Sequence, residues 1–546
     1  MTRGRGDARR TGPPATARAA IPRSALLFVA LVALVANVFA FDARLNTNGD
    51  NAQFLVLAES IRSGHGLSHV NSPGNEPHTK YPFLYPLLLA TVLTVFPGGL
   101  VPAKMLSVLF GVASIPLLVI LMARRVSPRL AVAIGLAAAV SPHLLEFSHI
   151  TLSEIPFLFF SLVALLLLER IVESPSPGRA RPVLALLAIM ATYYVKSIGL
   201  ALALAAPLAC ATRRRFRLAL FFLAGFVVLS FPWYLRNKAV GQGNLYLDYF
   251  LMKNPYEEGS GRVTARDLLA RVGENAVRYE RYFIPNGIVP PAFRFGPAPA
   301  RDALLFLAPL ALVAIGIVAA LRAGFVVVEI YTILSLAIIH AWPEVWSSTR
   351  FFLALIPLFL AYAVFGVERI ARRFAPGRAG EAAALAVAGL LVVGNVAATA
   401  RDVRERGGYT ADWANFFAAA DWIRGNTPPG AIVSSRSGYI LYWKTHRKSV
   451  GYPFSPDAER VFAGLVESGA RYVLVDSFFW TGTTGRYLVP ALEAHRDRWR
   501  AVWSAKDPPT YVLEMLPAVG TAADSIAAVG RPAEPGAPAA PGSPAR

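Results

Sequence analysis

The chain has 546 residues, 55% of them hydrophobic and 16% charged, against about 25% charged in soluble domains, which excludes an ordinary soluble enzyme. A net charge of +20 could suit nucleic acid, but the arginines sit in short loops between apolar runs, which excludes that partner. The single cysteine, Cys210, lies inside an apolar run, so no disulfide framework or cysteine-based metal site can form within one chain.

Residues 1–23 read as a basic, disordered cytoplasmic segment. Apolar spans follow at 24–41, 101–122, 129–146, 152–169, 182–195, 197–211, 216–235, 302–321, 325–341, 351–367 and 381–399. Runs of this kind mark membrane-spanning helices, here about 11 of them. Arginines cluster before the first span, at Arg124, Arg125 and Arg129 after the second, and at Arg170, Arg179 and Arg181 after the fourth. Arg213 to Arg215 with Arg217, then Arg322, then Arg369 to Arg378 continue the series. Every second short loop is therefore basic and expected to be cytoplasmic. That count requires residues 82–97 not to cross. Pro82, Pro86 and Pro97-Gly98-Gly99 bound a short run there, which suits an interfacial or re-entrant helix.

Three regions are expected outside the membrane: loop 42–81, loop 236–301 and residues 400–516. The last reads as a small extracytoplasmic α/β domain. A helix is expected from Ala411 to Arg424 and another over Asp457–Glu467, with strands at Ala431–Ser435, Tyr472–Asp476 and Tyr511–Met515. Residues 517–546 are rich in Ala, Pro and Gly and expected to be disordered. The fold class is thus a polytopic α-helical membrane protein with a small C-terminal α/β domain.

The first outer loop carries Asn48-Gly49-Asp50-Asn51 ahead of a helical run, Ala52 to Ile61. Asp50 has two readings. It can cap that helix with Gln53 as its partner, or it can be a general base whose pKa is raised by desolvation at the membrane boundary. Glu154, in Ser153-Glu154-Ile155-Pro156, falls on the same side, and Glu146 lies at the end of the third span. An ionisable group at membrane depth is a functional candidate by default. Lys80, Lys196, Arg236 and Arg350 add positive charge to a face where it is otherwise sparse. Each could simply snorkel; together they suit a lipid-phosphate leaving group. Tyr81, Tyr85, His149 and Glu146 are placed around the substrate pocket. The histidines His65, His69, His78, His143 and His149 match no compact zinc spacing, and no metal ligand is assigned.

These motifs resemble the GT-C superfamily of polyprenyl-phosphate-sugar-dependent glycosyltransferases, in the branch of the aminoarabinose and protein O-mannosyltransferases. The likeness rests on Gly49-Asp50-Asn51, on Tyr81 to Leu89, on Ser153 to Pro156, on Pro232-Trp233-Tyr234-Leu235-Arg236-Asn237 and on Arg350 to Pro357. It implies a sugar donor on a polyprenyl phosphate, drawn from the membrane lipid. It also implies an extracytoplasmic lipid, glycan or protein acceptor and a bacterial cell membrane location. By carry-over Asp50 is the base of an inverting displacement, Glu154 the second acid, and Lys80, Arg236 and Arg350 the donor-phosphate partners; Lys196 joins them on its charge and position alone. Many relatives have an acidic pair in the first loop. Here the neighbour is Asn51, which disfavours a divalent cation. The rival class is a transporter or flippase for lipid-linked sugars, but neither repeated halves nor midplane charge pairs are visible.

Overall fold

A computed structural model describes residues 21–241, 245–255, 260–290, 303–375 and 378–517. The expectations for residues 1–20, 291–302 and 518–546 fall outside these. The chain forms two compact units that divide between Gly408 and Tyr409.

The first unit is helical. It opens with α1 (Arg23–Ala40), α2 (Gly49–Arg62), α3 (Leu84–Val95), α4 (Leu100–Met122), α5 (Pro128–Ala139) and α6 (Pro142–Ser148). Next come α7 (Glu154–Glu173), α8 (Ala180–Val195), α9 (Leu200–Thr212), α10 (Phe216–Ala239), α11 (Leu245–Leu251), α12 (Ala265–Arg278) and α13 (Ile284–Ile288). It ends with α14 (Leu304–Arg322), α15 (Val327–Ala341), α16 (Thr349–Phe352), α17 (Ile356–Phe374) and α18 (Arg378–Glu405).

Among the described residues, seven helices are long and apolar enough to cross a membrane: α1, α4, α7, α10, α14, the run Thr349–Phe374, and α18. The pair α5 and α6, bent by 56°, forms an eighth if taken as one span. The remaining expected spans fall on shorter apolar helices, namely α8, the run Ser197–Thr212, and α15. Helix α3 has 12 residues and so rises only about 18 Å, well short of a hydrocarbon core of about 30 Å. Pro86 is tolerated in its first turn, where the amide needs no helical partner. Gly98, at φ +67°, takes the left-handed conformation that turns the chain back toward α4.

Packing within this unit is set by small residues and by one buried ion network. At Gly316 of α14 a Cβ would lie 2.1 Å from the Tyr362 carbonyl oxygen, and at Gly366 of α17 it would lie 2.2 Å from that of Leu312. The two backbones approach as only glycine allows. Far down α7 from Glu154, Arg125 pairs with Glu169 and lies 3.2 Å from Glu329, all three buried. The Tyr362 hydroxyl donates to Glu329 at 2.9 Å. The network ties the turn after α4 to α7, α15 and α17, and each buried charge has an opposite partner.

The second unit runs α19 (Ala411–Asn426), β1 (Ile432–Ser434), α20 (Gly438–Thr445), β2 (Lys448–Val450), α21 (Ala458–Glu467), β3 (Tyr472–Val475), α22 (Val489–Ala494), β4 (Trp499–Ala505) and β5 (Thr510–Met515). The sheet order is β2-β1-β3-β5-β4. Strand β1 pairs in parallel with β2 and with β3, while β5 is antiparallel to β3 and β4. Val461 and Leu465 of α21 pack on Val473 and Val475 of β3 with Leu488 and Ala491 to form the core. Each expected helix and strand falls on an observed one. Strands β2 and β4 and helices α20 and α22 were not expected.

Candidate active site

Helix α2 starts one turn earlier than expected because Asn48 caps it, its side chain accepting the Asp50 amide at 3.0 Å. The capping reading of Asp50 is therefore corrected. Asp50 is the second helical residue, and its carboxylate is turned to other partners. Oδ2 lies 2.6 Å from Arg350 Nη1 and Oδ1 lies 3.7 Å from Lys80 Nζ. Arg350, in the short helix α16, also pairs through Nε with Glu154 Oε1. That same oxygen accepts from Lys196 Nζ at 2.9 Å. Lys196 occupies the break after α8, where its extended backbone, φ −154°, interrupts the helical ladder.

Five residues from separate segments thus form one cluster: Asp50, Lys80, Glu154, Lys196 and Arg350. Three cations against two carboxylates leave it a net charge of +1. The carboxylates differ in access. The Asp50 side chain is 28% exposed and that of Glu154 only 2%. Glu154 also keeps Oε2 buried without a hydrogen-bond partner.

The expected rise in the Asp50 pKa is corrected as well. Burial pushes it upward, but the charges of Lys80 and Arg350 outweigh burial and hold it well below the ordinary carboxylate range. Lys80 is lowered by its own burial, with Asp50 opposing.

Tyr81 borders the cluster. Its ring stacks on Phe54 at 4.5 Å, and Lys80 Nζ sits 4.7 Å from its centroid. Its buried hydroxyl faces the Asp50 carboxylate. Burial first, then the Asp50 charge, push that phenol well above its ordinary value.

Four other expected residues lie elsewhere. Tyr85 is fully buried, with its hydroxyl 3.2 Å from Ser107 Oγ and its ring edge-on to Phe54, so no open face remains for a substrate. Arg236 is not paired with Asp50 or Glu154. Its guanidinium donates to the backbone carbonyls of His78 and, at 3.0 Å, Leu67, closing the loop that leads to Lys80. His149 Nε2 lies 3.2 Å from Asn37 Oδ1 and its ring packs edge-on to Phe41. Glu146 is exposed on α6, and no ion pair with it occurs among the described residues.

Two supporting residues were missed. Asn51 is buried and accepts the Thr151 amide at 3.2 Å. Its only signal was an amide where many relatives carry an acid. His78 Nε2 accepts the Tyr81 amide at 2.6 Å, and Nδ1 lies 3.2 Å from His69 Nε2. With Nε2 accepting, the neutral ring carries its proton on Nδ1. Burial, reinforced by His69, Lys80 and Arg236, pushes His78 well below its ordinary pKa and keeps it neutral.

Among the described residues no group of three or more His, Cys, Asp or Glu is placed to hold a metal ion. The chemistry of the cluster agrees. Asp50 and Glu154 are already matched by three cations, and a divalent ion does not fit a donor set of net positive charge.

Residues 80–233 match the family described as dolichyl-phosphate-mannose-protein mannosyltransferase. That stretch begins at Lys80 and takes in Glu154 and Lys196. No curated protein matches the chain. Among solved structures, ArnT from Cupriavidus metallidurans bound to undecaprenyl phosphate is 13% identical, over 90% of this chain and 98% of that one, with a TM-score of 0.57. The Archaeoglobus fulgidus oligosaccharyltransferase in complex with Zn and sulfate is 14% identical, over 91% and 74%, at 0.56. AglB from the same organism, in complex with an inhibitory peptide and a dolichol-phosphate, is 16% identical, over 82% and 69%, at 0.51. The fold is that of the GT-C glycosyltransferases. At these identities the likeness is one of architecture.

Proposed function

We propose that this chain is a membrane glycosyltransferase. It moves a sugar from a polyprenyl-phosphate-linked donor to an extracytoplasmic hydroxyl or amine, with inversion at the anomeric carbon. The observation that carries the reading is the bridge from Asp50 through Arg350 to Glu154, flanked by Lys80 and Lys196. An acid beside a cation cluster is what an acceptor proton and a departing phosphate together require. The shared fold adds support, because ArnT was solved with undecaprenyl phosphate and AglB with a dolichol-phosphate.

Asp50 is ionised at rest, as a base must be, but its proton affinity is suppressed by Lys80 and Arg350. The donor phosphate competes for those same cations. As Arg350 and Lys80 turn to the phosphate, Asp50 loses neutralising charge and its proton affinity rises. The base is thereby activated by the donor it is to act upon. Asp50 then takes the acceptor proton while the acceptor atom attacks the anomeric carbon. The bond from that carbon to the phosphate oxygen breaks, and its electron pair stays on the phosphate, held by Arg350, Lys80 and Lys196. Glu154, inaccessible and bound to two of the cations, orients them. Arg236 acts through the loop that positions Lys80, and Tyr81 lines the approach.

The test is transfer from a panel of radiolabelled polyprenyl-phosphate sugars by purified protein in lipid, with wild type and Asp50→Asn side by side. Transfer by wild type alone supports both the reaction class and the base. Equal transfer by Asp50→Asn excludes Asp50 as base, and no transfer from any donor overturns the reaction class.

A further inference from the structure

The second unit carries a constellation that sugar transfer at Asp50 does not use. In its sheet the chain leaves β1 toward β2 on one side and leaves β3 toward β5 and β4 on the other, while β1 and β3 are parallel neighbours. Their carboxyl ends therefore form a topological switch point, the place where open α/β sheets leave a crevice for ligands. The loop after β1 brings Arg436 there, and the loop after β3 brings Asp476 to Thr484.

These two loops are built against each other. Arg436 Nε donates to Thr483 Oγ1 at 3.0 Å. The guanidinium lies 5.1 Å from the centroid of Phe454 and 5.0 Å from that of Trp480. Its two terminal nitrogens make no hydrogen bond among the described residues, so the fork is oriented and its donors remain unused. Trp480 is 54% exposed and Phe479 beside it 73%. Beneath them Asp476 is buried. Its Oδ1 accepts from Thr484 Oγ1 at 3.0 Å, while its Oδ2 and the Ser434 hydroxyl are buried without partners. Burial pushes the Asp476 carboxyl up to about 6, with Thr484 opposing.

We propose that this crevice is a binding site for an anionic saccharide. Arg436 grips the carboxylate or phosphate, and the part of the Trp480 ring left exposed beside Arg436 and Phe478 packs on the C–H face of the sugar. A stacked guanidinium with free paired donors is suited to planar or tetrahedral anions. An exposed indole supplies flat contact area at low conformational cost. A loop meant only to touch lipid would need the aromatic pair but not the oriented fork. The site is built from residues of the second unit alone, and its chemistry does not depend on the Asp50 cluster.

The experiment is saturation-transfer NMR on the full-length protein in lipid nanodiscs, with glucuronic acid, glucose 1-phosphate, glucose and inorganic phosphate as probes. At least one of the two anionic sugars binds and glucose does not. The responding arm tells whether the site takes carboxylate or phosphate. Arg436→Gln and Trp480→Ala each weaken that binding by about tenfold or more, and Arg436→Lys, which keeps the charge but not the fork, falls between. Four results overturn the proposal. They are no binding of any anionic sugar, equal competition by inorganic phosphate, unchanged binding by Arg436→Gln, and quenching of Trp480 by brominated lipid read against Trp480→Phe.

Discussion

Thr151 and Asn51, 100 residues apart, are locked together in the interior: the Thr151 amide donates to Asn51 Oδ1 at 3.2 Å and its hydroxyl donates to the same oxygen. Asn51 Nδ2 in turn donates to the Asn46 carbonyl at 3.0 Å. The amide therefore splices the start of α2, where Asp50 sits, to the turn that leads into Glu154. Asn51→Asp replaces the donor with an acceptor facing a carbonyl in a buried place. Because small misplacements of reacting groups are expensive, turnover is expected to fall by about 10- to 100-fold. Initial rates against wild type decide it, and an unaltered rate would remove Asn51 from the positioning frame.

Asp50→Asn is nearly isosteric and leaves Arg350 and Lys80 in place. Loss of a general base lowers turnover by about 10² to 10⁴, while binding of a polyprenyl phosphate is retained or tightened because two cations lose a competitor. Donor binding by fluorescence together with transfer rates separates the two effects.

Arg350→Lys keeps one charge but cannot span both carboxylates as the fork does. Glu154 retains Lys196, so folding is preserved, while kcat/KM falls by about 10-fold or more. Equal kinetics for Arg350→Lys and wild type would show that the bridge is dispensable.

The pH dependence follows from the same charges. Asp50 is held below its ordinary value of 3.8 by Lys80 and Arg350 against the opposing effect of burial. Its stabilising contribution is therefore complete above the unfolded value and is lost as pH falls from there toward the lowered native value. Around neutrality Asp50 adds no slope to folding stability. Lys80→Met removes one of the suppressing charges, and the acid limb of kcat/KM is expected to move to higher pH. A limb that stays in place would dissociate Asp50 from that ionisation.

Gly316→Ala and Gly366→Ala each drive a methyl against a carbonyl oxygen at about 2 Å. The helices must separate, at about 1–3 kcal/mol, which lowers the thermal midpoint in detergent. Gly389→Ala in α18, where a Cβ meets nothing within 4 Å, serves as the neutral or mildly stabilising control.

The members of the Asp50 cluster were legible in sequence because their chemistry is unusual where they occur: Asp50, Glu154, Lys80, Lys196 and Arg350 are charges among apolar spans. Their pairing was not legible. It depends on tertiary contacts as distant as the 300 residues between Asp50 and Arg350, and that pairing reversed the expected direction of the Asp50 pKa. The helix cap was misplaced because Asn48 and Asp50 are equally good caps on composition, and only the backbone shows which residue is outside the helix. Arg236 looked like its fellow cations, yet its donors go to main-chain carbonyls that no sequence pattern reveals. In the second unit, β2 is three residues long, Lys448–Val450, too short to alternate. Strand β4 lies at the sheet edge, mostly exposed or half-exposed, and lacks a clean buried face.

Helix α7 is gripped at both ends. Glu154 opens it in the grasp of Arg350 and Lys196, and Glu169 near its far end is held by Arg124 and Arg125. A rod anchored in this way cannot slide along its axis or roll without breaking ion pairs at one end. In the proposed transfer reaction, substrate entry and product exit would therefore fall to the segments around α7, with that helix as the stator.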